Sequence, residues 1–167
     1  MKKIAIIYAS RTGTSEMIAK EIGNTLRDAN TKVDVKTVLD DIDFDYYDAF
    51  IIGSSVRLMK VLGEADGFLT KYKHIFEQKP VSFFFIGITM DKDTPQRRDR
   101  MMEFINPTLK RIPLVSPIDI GLFAGIINIY KIFPFLKLFG LKEAPKDYKD
   151  WDKIREWARI QKKLLLR

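Results

Sequence analysis

Ile4-Ala5-Ile6-Ile7-Tyr8-Ala9-Ser10-Arg11-Thr12-Gly13-Thr14-Ser15-Glu16-Met17-Ile18 changes character twice within fifteen residues. Its apolar, Ile-rich start is too short for a typical helix and reads as a strand buried on both faces. Ser10 to Ser15 then brings together four hydroxyls and one glycine. Beyond it Ile18, Ile22 and Leu26 recur at helical spacing, with Glu16 in the first turn. The hydroxyl-rich loop therefore joins a strand end to a helix start. Unpaired N–H groups and the helix dipole favour an anion there, and Ser and Thr hydroxyls add donors. Gly13 lets the backbone come close to such a ligand and adopt a positive φ.

Composition narrows the chemistry. At 167 residues the chain is expected to form a single domain, 1–167, large enough to bury a core without staples. Cysteine is absent, which excludes disulfides, cysteine-ligated clusters and thiolate catalysis. The single histidine, His74, argues against a zinc site or histidine catalysis, so no metal site is expected. Redox chemistry would have to come from an organic cofactor. The apolar run after Met1-Lys2-Lys3 is too short for a secretory signal. Gly121 to Leu141 is interrupted by Asn128, Lys131, Pro134 and Lys137. Each central lysine there would cost about 3 kcal/mol in a bilayer, which argues against a membrane span. A cytoplasmic location is expected, and the net charge of +7 favours anionic surfaces or partners.

Further along, Lys32 to Val38 alternates polar and apolar residues, as a half-exposed edge strand does. The acidic stretch Asp40 to Asp45 reads as a loop without the pattern of a calcium site. Asp48 to Gly53 reads as a third, buried strand running into a loop from Ser54. Ala65, Phe68, Leu69, Tyr72 and Phe76 mark one face of a helix, with His74 on the opposite, exposed side. Val81 to Ile88 is a fourth strand. Thr94-Pro95 has the cap-then-proline signature of a helix start, with Met101, Phe104 and Ile105 inward and Pro107 ending or kinking it. Pro117 to Ala124 is a fifth strand. Asp150 caps a last helix that buries Trp151, Ile154, Trp157, Ala158 and Leu165.

This alternation predicts an α/β, doubly wound sheet of five parallel strands in the order 2-1-3-4-5. Ligands of such sheets bind outside the carboxyl ends of the strands at the switch point, where Ser10–Ser15, Ser54–Lys60 and Gly87–Asp91 would meet.

The loop has neither the G-x-x-x-x-G-K-[ST] of a nucleoside triphosphatase nor a G-x-G-x-x-G fingerprint. Ser10-Arg11-Thr12-Gly13-Thr14-Ser15 resembles the S/T-x-T-G-x-T phosphate loop of flavodoxins, which holds flavin mononucleotide (FMN). Ile51-Ile52-Gly53-Ser54-Ser55-Val56-Arg57 is similar to the second loop of the menaquinone-dependent protoporphyrinogen oxidases. Thr94-Pro95-Gln96 also matches those enzymes, as does a long insert after the fifth strand followed by Asp150-Trp151. A basic balance suits that group as well. The insert here, 126–141, keeps Tyr130, Phe133, Phe135 and Phe139 but has only Lys131 and Lys137 as charges, where the enzymes are rich in arginine.

The resemblance implies a flavodoxin-like FMN oxidoreductase passing electrons from a porphyrinogen-type substrate to a quinone, in haem biosynthesis. A flavodoxin-type electron carrier and a non-catalytic binding module are the alternatives. It also implies a cofactor site of Ser10, Arg11, Thr12, Gly13, Thr14 and Ser15 around the phosphate, with the Arg11 side chain free to point outward. Ser54, Ser55, Val56, Arg57, Leu58 and Met59 would lie along one edge of the isoalloxazine, and Gly87, Ile88, Thr89 and Met90 along another. Leu58, Met59 and Met90 would offer apolar and sulfur contacts in place of the usual aromatic ones, unless Leu58 and Met59 pack in the core instead.

Arg57 is the candidate catalytic residue, because a guanidinium beside the anionic edge of reduced flavin eases reduction; otherwise it is a solvated cation. Arg97, Arg98, Arg100, Lys110 and Arg111 form a basic cluster, either a solvated face or a dock for an acidic redox partner, with no nucleic-acid motif. The insert 126–141 is either a lid or a contact for a quinone or the inner face of the membrane.

Overall fold

The computed structural model describes residues 1–127 and 146–167. Strand β1 (Lys2–Ala9) shows how the layers form. Side chains alternate across a strand, so Ala5, Ile7 and Ala9 enter one apolar core while Ile4, Ile6 and Tyr8 enter another. Both faces are thus covered, as the unbroken apolar run requires. The chain continues through α1 (Thr14–Leu26), β2 (Thr31–Thr37) and a 3-10 turn at Phe44–Tyr46. Next come β3 (Ala49–Arg57), β4 (Lys60–Val61), α2 (Gly63–Lys71) and α3 (Lys73–Phe76). Then follow β5 (Val81–Ile86), a 3-10 turn at Ile88–Asp91, α4 (Pro95–Leu109) and β6 (Ile120–Phe123). The described chain closes with β7 (Ile126–Ile127), β8 (Lys146–Asp147) and α5 (Trp151–Leu165).

The sheet runs β2-β1-β3-β5-β6, with all neighbours parallel. Counting only these five, the order is the expected 2-1-3-4-5. The short β4 adds antiparallel to β3, and β7 pairs with β8 in a separate ribbon. Helices α2, α3 and α4 cover the core of Ala5, Ile7, Phe83 and Phe85, through Phe68, Phe76, Met101 and Ile105. Helices α1 and α5 cover the other, through Ile18, Ile22, Ile154 and Ala158 against Ile6, Ile51 and Phe84.

The C-terminal helix is also tied by a buried polar chain. Ser82 donates to Gln161 at 2.6 Å, and the Gln161 amide and Trp157 indole both donate to Asp119 at 2.8 and 2.7 Å. Because Ser82 and Gln161 are fully buried, breaking one bond would strand its partner.

Several boundaries differ from the sequence-based expectation. The helix predicted across Ala65–Phe76 is broken at Tyr72 (φ −106°, ψ 16°), which caps α2 and precedes α3; His74 is exposed as expected. Pro107 does not end α4, which runs two residues further, to Leu109. Phe104, Trp151 and Trp157 are only partly buried. The fourth and fifth strands are shorter than their apolar runs, since Gly87–Ile88 and Pro117–Asp119 lie outside the ladder. The insert 126–141 lies, from residue 128 on, outside the described residues.

Candidate functional site

The parallel register brings the predicted segments to one edge. Ala9 lies opposite Ser54, Ser55 opposite Ile86, and Ile86 opposite Phe123. Residues 10–15, the end of β3 from Ser55 on, 87–91 and 124–125 therefore lie side by side at this edge.

In the first of these loops, Gly13 has φ +87°, in the left-handed region, and its N–H donates to the Ser10 hydroxyl at 3.0 Å. Thr12 and Thr14 bring their hydroxyls to 3.5 Å of each other. Helix α1 begins with no side-chain cap on its first N–H groups. Hydroxyls and uncapped amides around a helix N-terminus are the donor set that a phosphate monoester needs.

Arg11 points elsewhere: it is exposed and pairs with Glu64, at the start of α2, at 2.6 Å. Ser15 is fully buried, and its hydroxyl meets that of Ser55 at 2.7 Å, so it joins the first loop to the second.

The second segment is mostly strand rather than loop. Strand β3 continues to Arg57, and Arg57 pairs with Lys60 across a two-residue turn made by Leu58 (φ 48°) and Met59 (φ 62°). These are the only non-glycine residues with positive φ among the described ones. Two positive φ values fit a primed hairpin turn, for which Asn-Gly is the usual choice. Leu58 is 82% and Met59 62% exposed, which overturns the reading that they pack in the core. Ser54 is buried and its hydroxyl donates to the Ser55 carbonyl at 2.9 Å; Val56 and Arg57 are half-buried. Arg57 makes no ion pair among the described residues.

In the third segment Gly87 is buried and donates its N–H to the Phe123 carbonyl at 3.1 Å. Met90 is only 3% exposed and joins the core with Met101, which corrects its expected role as a cofactor contact; Ile88, 58% exposed, takes that outward place. A 3-10 turn points successive side chains about a third of a revolution apart, and that separates Ile88 from Met90.

The basic cluster is largely neutralised. Arg97 pairs with Asp91, Arg98 with Asp93 at 2.6 Å, Arg100 with Glu103 at 2.5 Å, and Arg111 with Asp66. Lys153 also reaches Asp93 at 2.6 Å, and the Arg98 and Lys153 contacts hold the Asp93 carboxyl down at about 2. Counting cations along α4 therefore overstated the charge left for a partner. No group of three metal-ligating side chains occurs among the described residues, and no described helix is long and apolar enough to cross a membrane.

Two contributors escaped sequence reasoning. Glu64 is unremarkable without knowing that α2 starts beside the first loop. Gly125 lies so close to that loop that a methyl group on it would sit 3.1 Å from the Thr14 side chain and 2.9 Å from Ile86. A glycine just past a strand was the available signal.

A doubly wound parallel sheet with an uncapped, hydroxyl-lined helix start at its switch point defines an α/β domain with an anion-binding loop. The flavodoxin domain family matches residues 5–138, and the chain belongs to that family, with FMN as its cofactor. The protoporphyrinogen IX dehydrogenase (quinone) of Escherichia coli K12 is 21% identical over 168 residues, covering 94% of this chain and 93% of that one. A flavodoxin from the domain Archaea shares the fold at a TM-score of 0.58 and 17% identity, covering 98% of this chain and 96% of that one. A flavoprotein of Lactobacillus acidophilus, solved in complex with FMN, does so at 0.54 and 16%, covering 73% and 93%.

Proposed function

We propose that this chain is an FMN-dependent oxidoreductase that takes electrons from a porphyrinogen-type substrate and passes them to a quinone. The observation that carries the reading is the end-to-end match, 94% of one chain against 93% of the other, to a protoporphyrinogen IX dehydrogenase (quinone).

When bound, FMN supplies the capacity to accept and release electrons. The protein's own residues do the rest. The hydroxyls of Ser10, Thr12 and Thr14 and the first N–H groups of α1 hold the phosphate, with Gly13 shaping the turn. Ser15 holds the first loop against Ser55. Leu58, Met59 and Ile88 supply the apolar surface against the ring and exclude water from it. Arg57 sits at the base of the hairpin, and its charge favours the reduced, anionic ring.

A second reading, an electron carrier without a small substrate, is favoured by the structural likeness to a flavodoxin covering 98% of this chain. One experiment separates them. The FMN-loaded protein is mixed anaerobically with protoporphyrinogen and a menaquinone analogue, and porphyrin fluorescence is followed. Quinone-dependent appearance of porphyrin supports the enzyme; a yellow protein that yields none supports the carrier.

A further inference from the structure

The start of α4 is built against the usual charge preference. Helix N-termini favour acidic side chains, yet this first turn has none and carries Arg97 and Arg98 instead. Capping does not explain them, because the Thr94 hydroxyl already accepts from the Arg97 N–H at 3.3 Å and Pro95 occupies the first helical position. The two arginines do different things. Arg98 forks onto Asp93 at 2.6 and 2.7 Å, and Asp93 also holds Lys153 of α5, so this pair ties helix to helix. Arg97 reaches back to the turn Ile88–Asp91: one guanidinium nitrogen donates to the Thr89 carbonyl at 3.1 Å and to the Asp91 carboxylate.

That turn has little else to hold its outer half. Met90 is buried beneath it, and its N–H donates to the Gly87 carbonyl at 3.1 Å. The N–H groups of Ile88 and Thr89 meet no acceptor among the described residues, and the Ile88 side chain is 58% exposed. The open donors and the open apolar side chain follow the strand end where Ser55 of β3 pairs with Ile86, two residues before the turn.

We infer that Arg97 is a positioning residue of the cofactor site: by gripping the Thr89 carbonyl and the Asp91 carboxylate, it fixes the turn that presents the Ile88 and Thr89 amides and the Ile88 side chain to the flavin. This rests on FMN being the occupant. Arg97 does not itself touch the ring. It removes the freedom the turn would otherwise lose on binding, so its effect appears as affinity and as the asymmetry of the ring's surroundings.

The test compares wild type with Arg97→Met, Arg97→Lys and Asp91→Asn. Three quantities are read: FMN dissociation constant by quenching of flavin fluorescence, visible circular dichroism of the bound flavin, and melting of the apoprotein. The expected result is that Arg97→Met and Asp91→Asn weaken FMN binding by roughly tenfold, as loss of a charge-assisted hydrogen bond would. Their visible dichroism changes, and Arg97→Lys, which can still donate to one of the two acceptors, recovers part of both. If Arg97→Met does not fold, Asp91→Asn and Arg97→Lys carry the same comparison. Affinities within twofold of wild type with an unchanged dichroic spectrum overturn the inference and leave the cofactor assignment intact. A wild type that binds no FMN overturns the assignment, and the inference with it.

Discussion

The hydroxyls of Ser15 and Ser55 meet at 2.7 Å in the buried seam between the first and second loops of the site. One residue opens α1 and the other lies near the end of β3, forty positions apart in the chain. Together they set the spacing between the phosphate-binding loop and the hairpin. Ser15→Ala should cost about 1–3 kcal/mol, because it leaves the Ser55 hydroxyl buried without this partner. Ser15→Ala/Ser55→Ala should cost clearly less than the two single changes summed, since contacting residues are not additive. Chemical denaturation of the four proteins closes the cycle; simple additivity would show that the contact contributes nothing.

Gly13 has open space where a side chain would start, but its φ of +87° disfavours one. Gly13→Ala should therefore cost about 1–2 kcal/mol through conformation alone. Gly13→Asn should cost less, because asparagine visits the left-handed region more readily. Equal melting temperatures for the two variants would show that the backbone strain is not what glycine relieves here.

Leu58 and Met59 occupy a turn that asparagine and glycine would fill more comfortably. Replacing them with Asn-Gly should stabilise the apoprotein by about 1–2 kcal/mol. FMN binding should weaken at the same time, since two apolar side chains no longer cover the ring. An apoprotein that is not stabilised, or FMN affinity that is unchanged, contradicts the reading of this hairpin as strained for function.

Acid should loosen the joints made by α5. The Asp28 carboxyl is held down at about 2 by Lys162, and Asp93 likewise by Arg98 and then Lys153. A carboxyl depressed below its ordinary value of 3.8 stabilises the fold above that pH and loses the contribution as pH falls toward about 2. The melting temperature should thus fall between pH 4 and 2, and Asp28→Asn/Asp93→Asn should show a shallower fall. Equal slopes would mean that other groups govern acid unfolding.

Arg57 was expected to set the cofactor's potential, and it stands half-buried beneath the hairpin without an ion pair among the described residues. Arg57→Gln should lower the flavin midpoint potential, by the loss of on the order of 1 kcal/mol of attraction for the reduced ring. A potentiometric dye titration that finds it unchanged or raised returns Arg57 to the role of a surface cation.

The order of the five strands was legible because their apolar runs are separated by helical periodicity, and the hydroxyl-rich turn into α1 because its hydroxyls and glycine lie together in the chain. Less visible was whatever depends on partners far apart in sequence. Ser15 looks like Thr14 until Ser55 is beside it, and the arginines of α4 look free until Asp91, Asp93 and Asp66 are brought to them. Met90 and Ile88 differ only in which way a 3-10 turn aims them, which spacing of two residues does not disclose. The Leu58-Met59 turn is opaque for another reason. Local preference argues for Asn or Gly there, and Leu58 and Met59 stand against it with positive φ.

The most direct test of the central claim is titration of FMN into wild type and into Thr12→Ala/Thr14→Ala, followed by flavin fluorescence. Wild type should bind stoichiometrically, and the double variant should lose roughly 1.5–3 kcal/mol per hydroxyl, the value of hydrogen bonds to a charged group. A wild type that leaves FMN fluorescence unquenched, or a double variant that binds as tightly as wild type, would contradict that claim.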